Sequence, residues 1–269
     1  MKEEYVGKDG LLYCKVCGER LEKILAFPLL DGSGKTEQRK VRTKCKCERE
    51  EKEAIERRLR FEETQIQINE LRKLSLMDAR LKDATLSSYR ETEENHKAFE
   101  IAKRYVQNFK TMYEKGQGIM FWGPVGTGKS YTAAAIANEL LSRQVPVVMT
   151  SFIKLLDSAK SFEDDESDLL ERLNKAKLLI IDDLGAERGT DYALEKVYDI
   201  IDSRYRTGRP IILTTNLDFA HMKNCDDIRY NRIYDRIFEM CYPVKIEGMS
   251  WRKKEAVSRF ADMKKLLEG

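Results

Sequence analysis

From about residue 80 onward, short apolar runs alternate with longer stretches whose apolar residues recur every three to four positions. The runs at 118–122, 145–150, 178–181, 210–214 and 243–246 predict five strands, largely apolar as strands buried on both faces are. The stretches 129–143, 191–206 and 251–267 predict helices between and after them. That alternation predicts an α/β fold, a parallel sheet covered by helices. Residues 48–76 read differently. They are rich in Glu, Arg and Lys, lack Pro and Gly, and scatter Ile55, Leu59, Ile66, Ile68 and Leu71 at mixed spacing, which predicts a solvated connecting helix. Residues 1–47 hold four cysteines, a glycine-rich turn and little periodic hydrophobicity. The expected organisation is a small module over 1–47, a charged helical linker over 48–79 and one α/β domain over 80–269.

Composition changes this picture little. A chain of 269 residues accommodates one such core and a small module. Charged residues make up 35%, no apolar run is long enough to cross a bilayer, and the start Met-Lys-Glu-Glu is no signal peptide, so a soluble, cytoplasmic chain without a membrane partner is expected. A net charge of +3 is too small to name a polyanionic partner. In a reducing compartment, six cysteines read as metal ligands and plain thiols rather than disulfides.

The first predicted strand runs directly into Gly123-Pro124-Val125-Gly126-Thr127-Gly128-Lys129-Ser130, and a helix-forming run follows from Tyr131. Strand, glycine-rich loop and helix in this order form a phosphate cradle. The glycines let backbone N–H groups turn inward, the helix N-terminus adds positive potential, Lys129 reaches the β and γ phosphates of ATP, and Ser130 ligates Mg²⁺. A second Gly34-Lys35-Thr36 fails the same requirements. Leu29 stands where the first glycine belongs, no strand leads in, and polar Glu37-Gln38-Arg39-Lys40 follows, so it reads as a loop tip.

The run 178–181 ends in Asp182-Asp183. A buried parallel strand points its C-terminal end at the ligand crevice. Asp182 is placed there to hold Mg²⁺, and Asp183 to orient or deprotonate the attacking water, with a reach one methylene shorter than the Glu often used; Glu187 is the nearby substitute.

With these motifs, residues 80 to 267 resemble the bacterial DnaC/DnaI-type replicative helicase loaders and the related IstB-type transposition ATPases, which are AAA+ proteins. The resemblance implies an AAA+ P-loop fold with a five-stranded parallel sheet. It makes Asn216, ending Ile211-Ile-Leu-Thr-Thr, the sensor 1 amide opposite Asp183. Arg236 in Arg232-Ile-Tyr-Asp-Arg236 becomes the arginine finger, Arg232 its support, and Arg252 the sensor 2 arginine. Ordinary surface pairing of Arg232 and Arg236 with Asp235 and Glu239 is the alternative on residues alone. A finger supplied by a neighbour ties hydrolysis to self-assembly in a ring or spiral, an effect worth roughly 10³ to 10⁵ in rate in related reactions. The segment 79–89 resembles the one that opens the family's ATPase domain near adenine. Phe152 and Lys154 lie where the loaders touch single-stranded DNA, and read equally as a core aromatic and a surface cation, while the acidic run 163–168 would repel DNA.

Cys14-Lys-Val-Cys17 and Cys45-Lys-Cys47 supply four thiolates, enough for a closed tetrahedral Zn²⁺ site, with free thiols or an iron–sulfur cluster as alternatives. So small and polar a segment cannot bury enough surface alone, whereas a structural zinc contributes ~10–16 kcal/mol in comparable peptides. Cys225 and Cys241 read as ordinary thiols. DnaI-type loaders carry such a module to engage the helicase, which favours ATP-dependent loading of a hexameric replicative helicase onto single-stranded DNA. The alternatives are an IstB-type transposition ATPase and an ATP-gated adaptor that does not hydrolyse.

Overall fold

Each apolar run from 118 onward forms a strand in the computed structural model, which describes residues 3–29, 34–72, 75, 79–161, 166–186 and 190–268. The chain divides into two compact units, Met1–Glu63 and Thr64–Gly269.

In the first unit, β1 (Glu4–Val6) pairs antiparallel with β2 (Leu12–Cys14), and β3 (Glu22–Pro28) with β4 (Thr36–Arg42). The sequence reading named none of these strands, since the ribbon β3-β4 is exposed nearly throughout and β1 and β2 are only three residues long, too short to show an alternation. A strand, β3, does lead toward Gly34-Lys35, contrary to the sequence reading, but strand β4 and no helix follows them, so the phosphate-loop requirement still fails. The predicted helix forms as α1 (Lys46–Arg72); the boundary between units falls within it, and it is not solvated throughout, since in the second unit its Ile68 and Leu71 are buried.

The second unit continues with α2 (His96–Gln107), α3 (Phe109–Glu114), β5 (Gly118–Trp122), α4 (Lys129–Ser142), β6 (Val147–Ser151), α5 (Phe152–Ser161) and α6 (Glu166–Lys175). Then come β7 (Leu178–Leu184), α7 (Asp191–Arg206), β8 (Ile211–Thr215), α8 (Phe219–Lys223), α9 (Ile228–Met240), β9 (Cys241–Lys245) and α10 (Trp251–Leu267). The five strands form one all-parallel sheet in the order β6-β7-β8-β5-β9. β9 starts two residues earlier than its apolar run because it pairs only with β5, and an edge strand tolerates Pro243.

Side-chain alternation divides the core between the two faces of the sheet. On β7, Leu178 and Ile180 pack into the cluster that contains α2 and α4, while Leu179 and Ile181 pack into the cluster that contains α7 and α9. Ala133, Ala134, Ala135 and Ala137 of α4 are fully buried, and their small side chains let the helix lie close to the sheet. At the amino ends of β7 and β8 the buried Arg204 donates to the carbonyls of Ala176 (3.0 Å) and Pro210 (2.6 Å). Burial without a carboxylate partner among these contacts pulls its guanidinium down to about 9. Among the described residues, no helix is long and apolar enough to cross a membrane.

Candidate nucleotide-binding site

Strand β5 lies beside β8, and the connections that leave these two strands run to opposite edges of the sheet, to β6 and to β9, so the crevice at their C-terminal ends is the topological switch point. The phosphate loop occupies it. Gly123 has φ 137°, and a Cβ there would stand 2.3 Å from the carbonyl oxygen of Ile246 just past β9. Gly126 has φ 81°, and its Cβ would meet Ser250 Oγ at 2.2 Å. Only glycine allows this backbone and this approach. Gly128, also left-handed, is the N-cap of α4. Residues Val125, Gly126, Thr127, Gly128, Lys129, Ser130 and Tyr131 all line a cleft of about 870 Å³.

Lys129 is 5% exposed and folds back on the loop. Its Nζ donates to the carbonyls of Gly123 (2.9 Å) and Pro124 (2.7 Å) and to Asn216 Oδ1 (2.7 Å). Burial holds the ammonium below the ordinary lysine range, Asp183 and Asp182 oppose that shift, and Arg252 adds to it. Asp182, Asp183, Asn216 and Arg252 line the same cleft. Ser130 and Asp182 thus offer hard oxygen donors to the same cleft, a donor set that suits Mg²⁺.

The two carboxylates do not sit on a regular strand. The β7/β8 register shifts between Ile181 and Leu184, and Asp183 takes φ 57°, a left-handed conformation uncommon for a residue with a side chain. Thr214 Oγ1 donates to Asp182 Oδ1 at 2.5 Å and accepts the Asp183 N–H at 2.9 Å. Asn216 Nδ2 approaches Asp183 Oδ1 at 3.5 Å. Glu187 and the acidic residues 163–165 lie outside the described residues.

The lip of the cleft comes from the segment expected near the base. Asn138 Nδ2 on α4 donates to the carbonyls of Leu81, Lys82 and Ala84 at 2.8 to 3.1 Å. Ser88 Oγ bonds Tyr131 Oη at 2.8 Å, and Tyr89 bonds Thr132 Oγ1 at 2.9 Å while stacking on Phe99. Arg80 and Asp83 from this segment, Arg90 just after it and Glu255 from α10 also line the cleft; the sequence reading gave none of these four side chains a role. The first turn of α10 is tied to the loop, since Trp251 N–H donates to Gly126 O at 2.9 Å.

Arg236 does not line this cleft. It lies against α7 of its own chain, where Nε is 2.8 Å from Asp202 Oδ1, Nη2 donates to Tyr198 Oη at 3.0 Å, and the guanidinium stands over the rings of Tyr198 and Tyr205. Neither Asp235 nor Glu239 is its partner in these contacts, unlike the surface pairing considered from sequence, and Arg232 is exposed. Phe152 is 1% exposed in the core, where it cannot stack on a nucleic-acid base.

In the first unit, the Sγ atoms of Cys14, Cys17, Cys45 and Cys47 all lie within 4.8 Å of one another. Tetrahedral zinc at 2.3 Å from each sulfur needs about 3.8 Å between sulfurs, so the cluster fits that ion with little closure. Cys14 ends β2, Cys17 lies in the tight turn after it, and Cys45 and Cys47 flank the start of α1. The Glu19 N–H draws the Cys17 thiol down to about 6, and that neighbour, with burial, pushes Cys47 up to about 12. Four thiolates this close need a cation to share them. Cys241 is buried and its thiol is pushed up by burial, consistent with an inert core residue.

Comparison with known proteins fits this geometry. Residues 38–258 match the IstB-like ATP binding protein family. Phage-like element PBSX protein XkdC of Bacillus subtilis is 32% identical over 57% of this chain and 60% of its own length. The replicative helicase loader DnaC of Escherichia coli is 29% identical over 58% of this chain and 63% of its own. The chain thus spans less than two thirds of either relative. An insertion sequence IS232 putative ATP-binding protein of Bacillus thuringiensis is 27% identical over 78% of this chain and 88% of its own. The crystal structure of DnaI superposes with a TM-score of 0.56 at 27% identity, covering 64% of this chain and 96% of that one. A switch-point phosphate loop, an acid pair and the Asn216 amide on one parallel sheet, together with a match over most of its length, make this chain a member of the IstB-like ATP-binding protein family, with the AAA+ P-loop fold.

Proposed function

We propose that this protein hydrolyses ATP to load a hexameric replicative DNA helicase onto single-stranded DNA in the cytoplasm. The observation that carries the hydrolytic part is the convergence of Lys129, Asp182, Asp183, Asn216 and Arg252 on one cleft. Lys129 exchanges the oxygens of Gly123, Pro124 and Asn216 for the β and γ phosphates. Ser130 and Asp182 would hold Mg²⁺, which would supply charge neutralisation at the phosphates. Asp183 orients a water and takes its proton as the water oxygen bonds to the γ phosphorus and the bond to ADP breaks. Asn216, freed from Lys129, faces that water, and Arg252 screens the phosphates from α10. Arg236, once released from Asp202 and Tyr198, serves the cleft of a neighbouring copy, which couples turnover to assembly in a ring or spiral.

The loading part rests on the relatives named replicative helicase loaders and on the cysteine module. Cys14, Cys17, Cys45 and Cys47 hold Zn²⁺ and keep the ribbons β1-β2 and β3-β4 in shape to grip the helicase. The IS232 relative, aligned over more of this chain than the loaders, supports a second reading: an ATPase that assembles on duplex DNA and binds a transposase. Size-exclusion chromatography of the full chain with ATP, against a replicative helicase hexamer and against a transposase, separates the two. A stable helicase complex lost on zinc chelation, with phosphate release stimulated by single-stranded DNA, is expected. Binding to transposase and duplex DNA alone overturns the loader, and absence of phosphate release from any assembly leaves an ATP-gated adaptor.

A further inference from the structure

Thr214 stands between the two carboxylates of the cleft and belongs to neither motif that defines them. Its side chain is fully buried on β8, and its single hydroxyl makes two bonds of fixed direction. The Asp183 backbone N–H can only donate, so Oγ1 accepts there. The one hydroxyl proton is then committed to Asp182 Oδ1, at 2.5 Å. The bulge between Ile181 and Leu184 explains why this is needed. Where the β7/β8 ladder breaks, the Asp183 N–H takes the Thr214 hydroxyl as its acceptor, and Asp183 is turned to φ 57°. Satisfying the bulge alone requires only an acceptor; the second bond, to a carboxylate, reaches into the site.

We propose that Thr214 is a positioning residue that sets both acids at once, orienting the Asp182 carboxylate toward the Mg²⁺ position and locking the left-handed turn that aims Asp183. This inference rests on the nucleotide reading of the cleft. It makes a hydroxyl, rather than side-chain volume, the required feature.

The test compares Thr214→Val, which keeps the shape, with Thr214→Ser, which keeps the hydroxyl. Each is titrated with Mg²⁺ while binding a fluorescent ATP analogue, and phosphate release and thermal unfolding are measured in parallel. Thr214→Val is expected to bind the analogue in EDTA within about twofold of the parent, because Lys129 and the loop are untouched. Its half-saturating Mg²⁺ should rise roughly 10- to 100-fold, the usual loss when a group that orients a metal ligand is removed. Thr214→Ser should stay within about threefold of the parent. A Val variant with parental Mg²⁺ dependence overturns the proposal, as does a folded Ser variant as defective as Val. A parent that binds with Mg²⁺ yet releases no phosphate overturns the hydrolytic reading alone, since the Mg²⁺ titration still decides the role of Thr214. A parent that gains nothing from Mg²⁺ overturns both.

Discussion

Arg236 can act on a neighbour only by leaving its own α7, and the structure lets the cost of that departure be worked out. The guanidinium gives up an ion pair with Asp202, a 3.0 Å bond to Tyr198 Oη and two aromatic faces. Removing only the Tyr198 hydroxyl leaves the ring and the ion pair in place. A hydrogen bond from a charged donor is worth about 1.5–3 kcal/mol, and its lower end corresponds to about tenfold in the released population. Tyr198→Phe should therefore raise steady-state phosphate release by about tenfold or more in assembled protein at saturating ATP. Dilute monomer should show no change, because no neighbouring cleft is present to receive the arginine. Arg236→Ala should instead lose most of the assembled rate while keeping the parent's ATP affinity. An unchanged or lowered rate in a stably folded Tyr198→Phe protein refutes the parking argument. An unchanged rate in Arg236→Ala refutes the finger itself.

Three further outcomes follow from the same geometry. Lys129→Ala removes a donor to three inward-facing oxygens and the cation expected at the phosphates, so ATP affinity should fall ~10- to 100-fold by calorimetry. Elemental analysis should find about one zinc per chain. A chelator should then abolish the strand signal of residues 1–63 while the second unit still binds ATP; persistence of that signal without metal would argue for free thiols. Phe152→Ala should cost about 3–5 kcal/mol in denaturant unfolding, and single-stranded DNA affinity of the remaining folded protein should not change; a selective loss of DNA binding would restore Phe152 as a stacking group.

Local pattern was sufficient for the chemistry that is contiguous in the chain. Residues 123–130 announce a phosphate loop because the glycines, the lysine and the helix that follows act within one turn of backbone. The five strands were legible because parallel strands buried on both faces are apolar nearly throughout, and Asp182-Asp183 because two acids ending such a run are conspicuous. Cys14, Cys17, Cys45 and Cys47 could be grouped because thiol pairs carry their own spacing rule. Other features were not local. The ribbon β3-β4 is exposed nearly throughout and β1 and β2 are only three residues long, so no periodicity marks them. The strand order that sets Asn216 beside Lys129 and Asp183, 87 and 33 residues away, depends on which strands pair. Thr214 looks like any strand threonine until the bulge at Asp183 turns a backbone N–H toward it, and Arg236 meets Asp202 and Tyr198 only because α9 packs on α7. Sequence by itself determined which groups are available for nucleotide chemistry; only the tertiary structure decided which partner each one faces, because hydrogen bonds and ion pairs depend on distances that pairing and packing set.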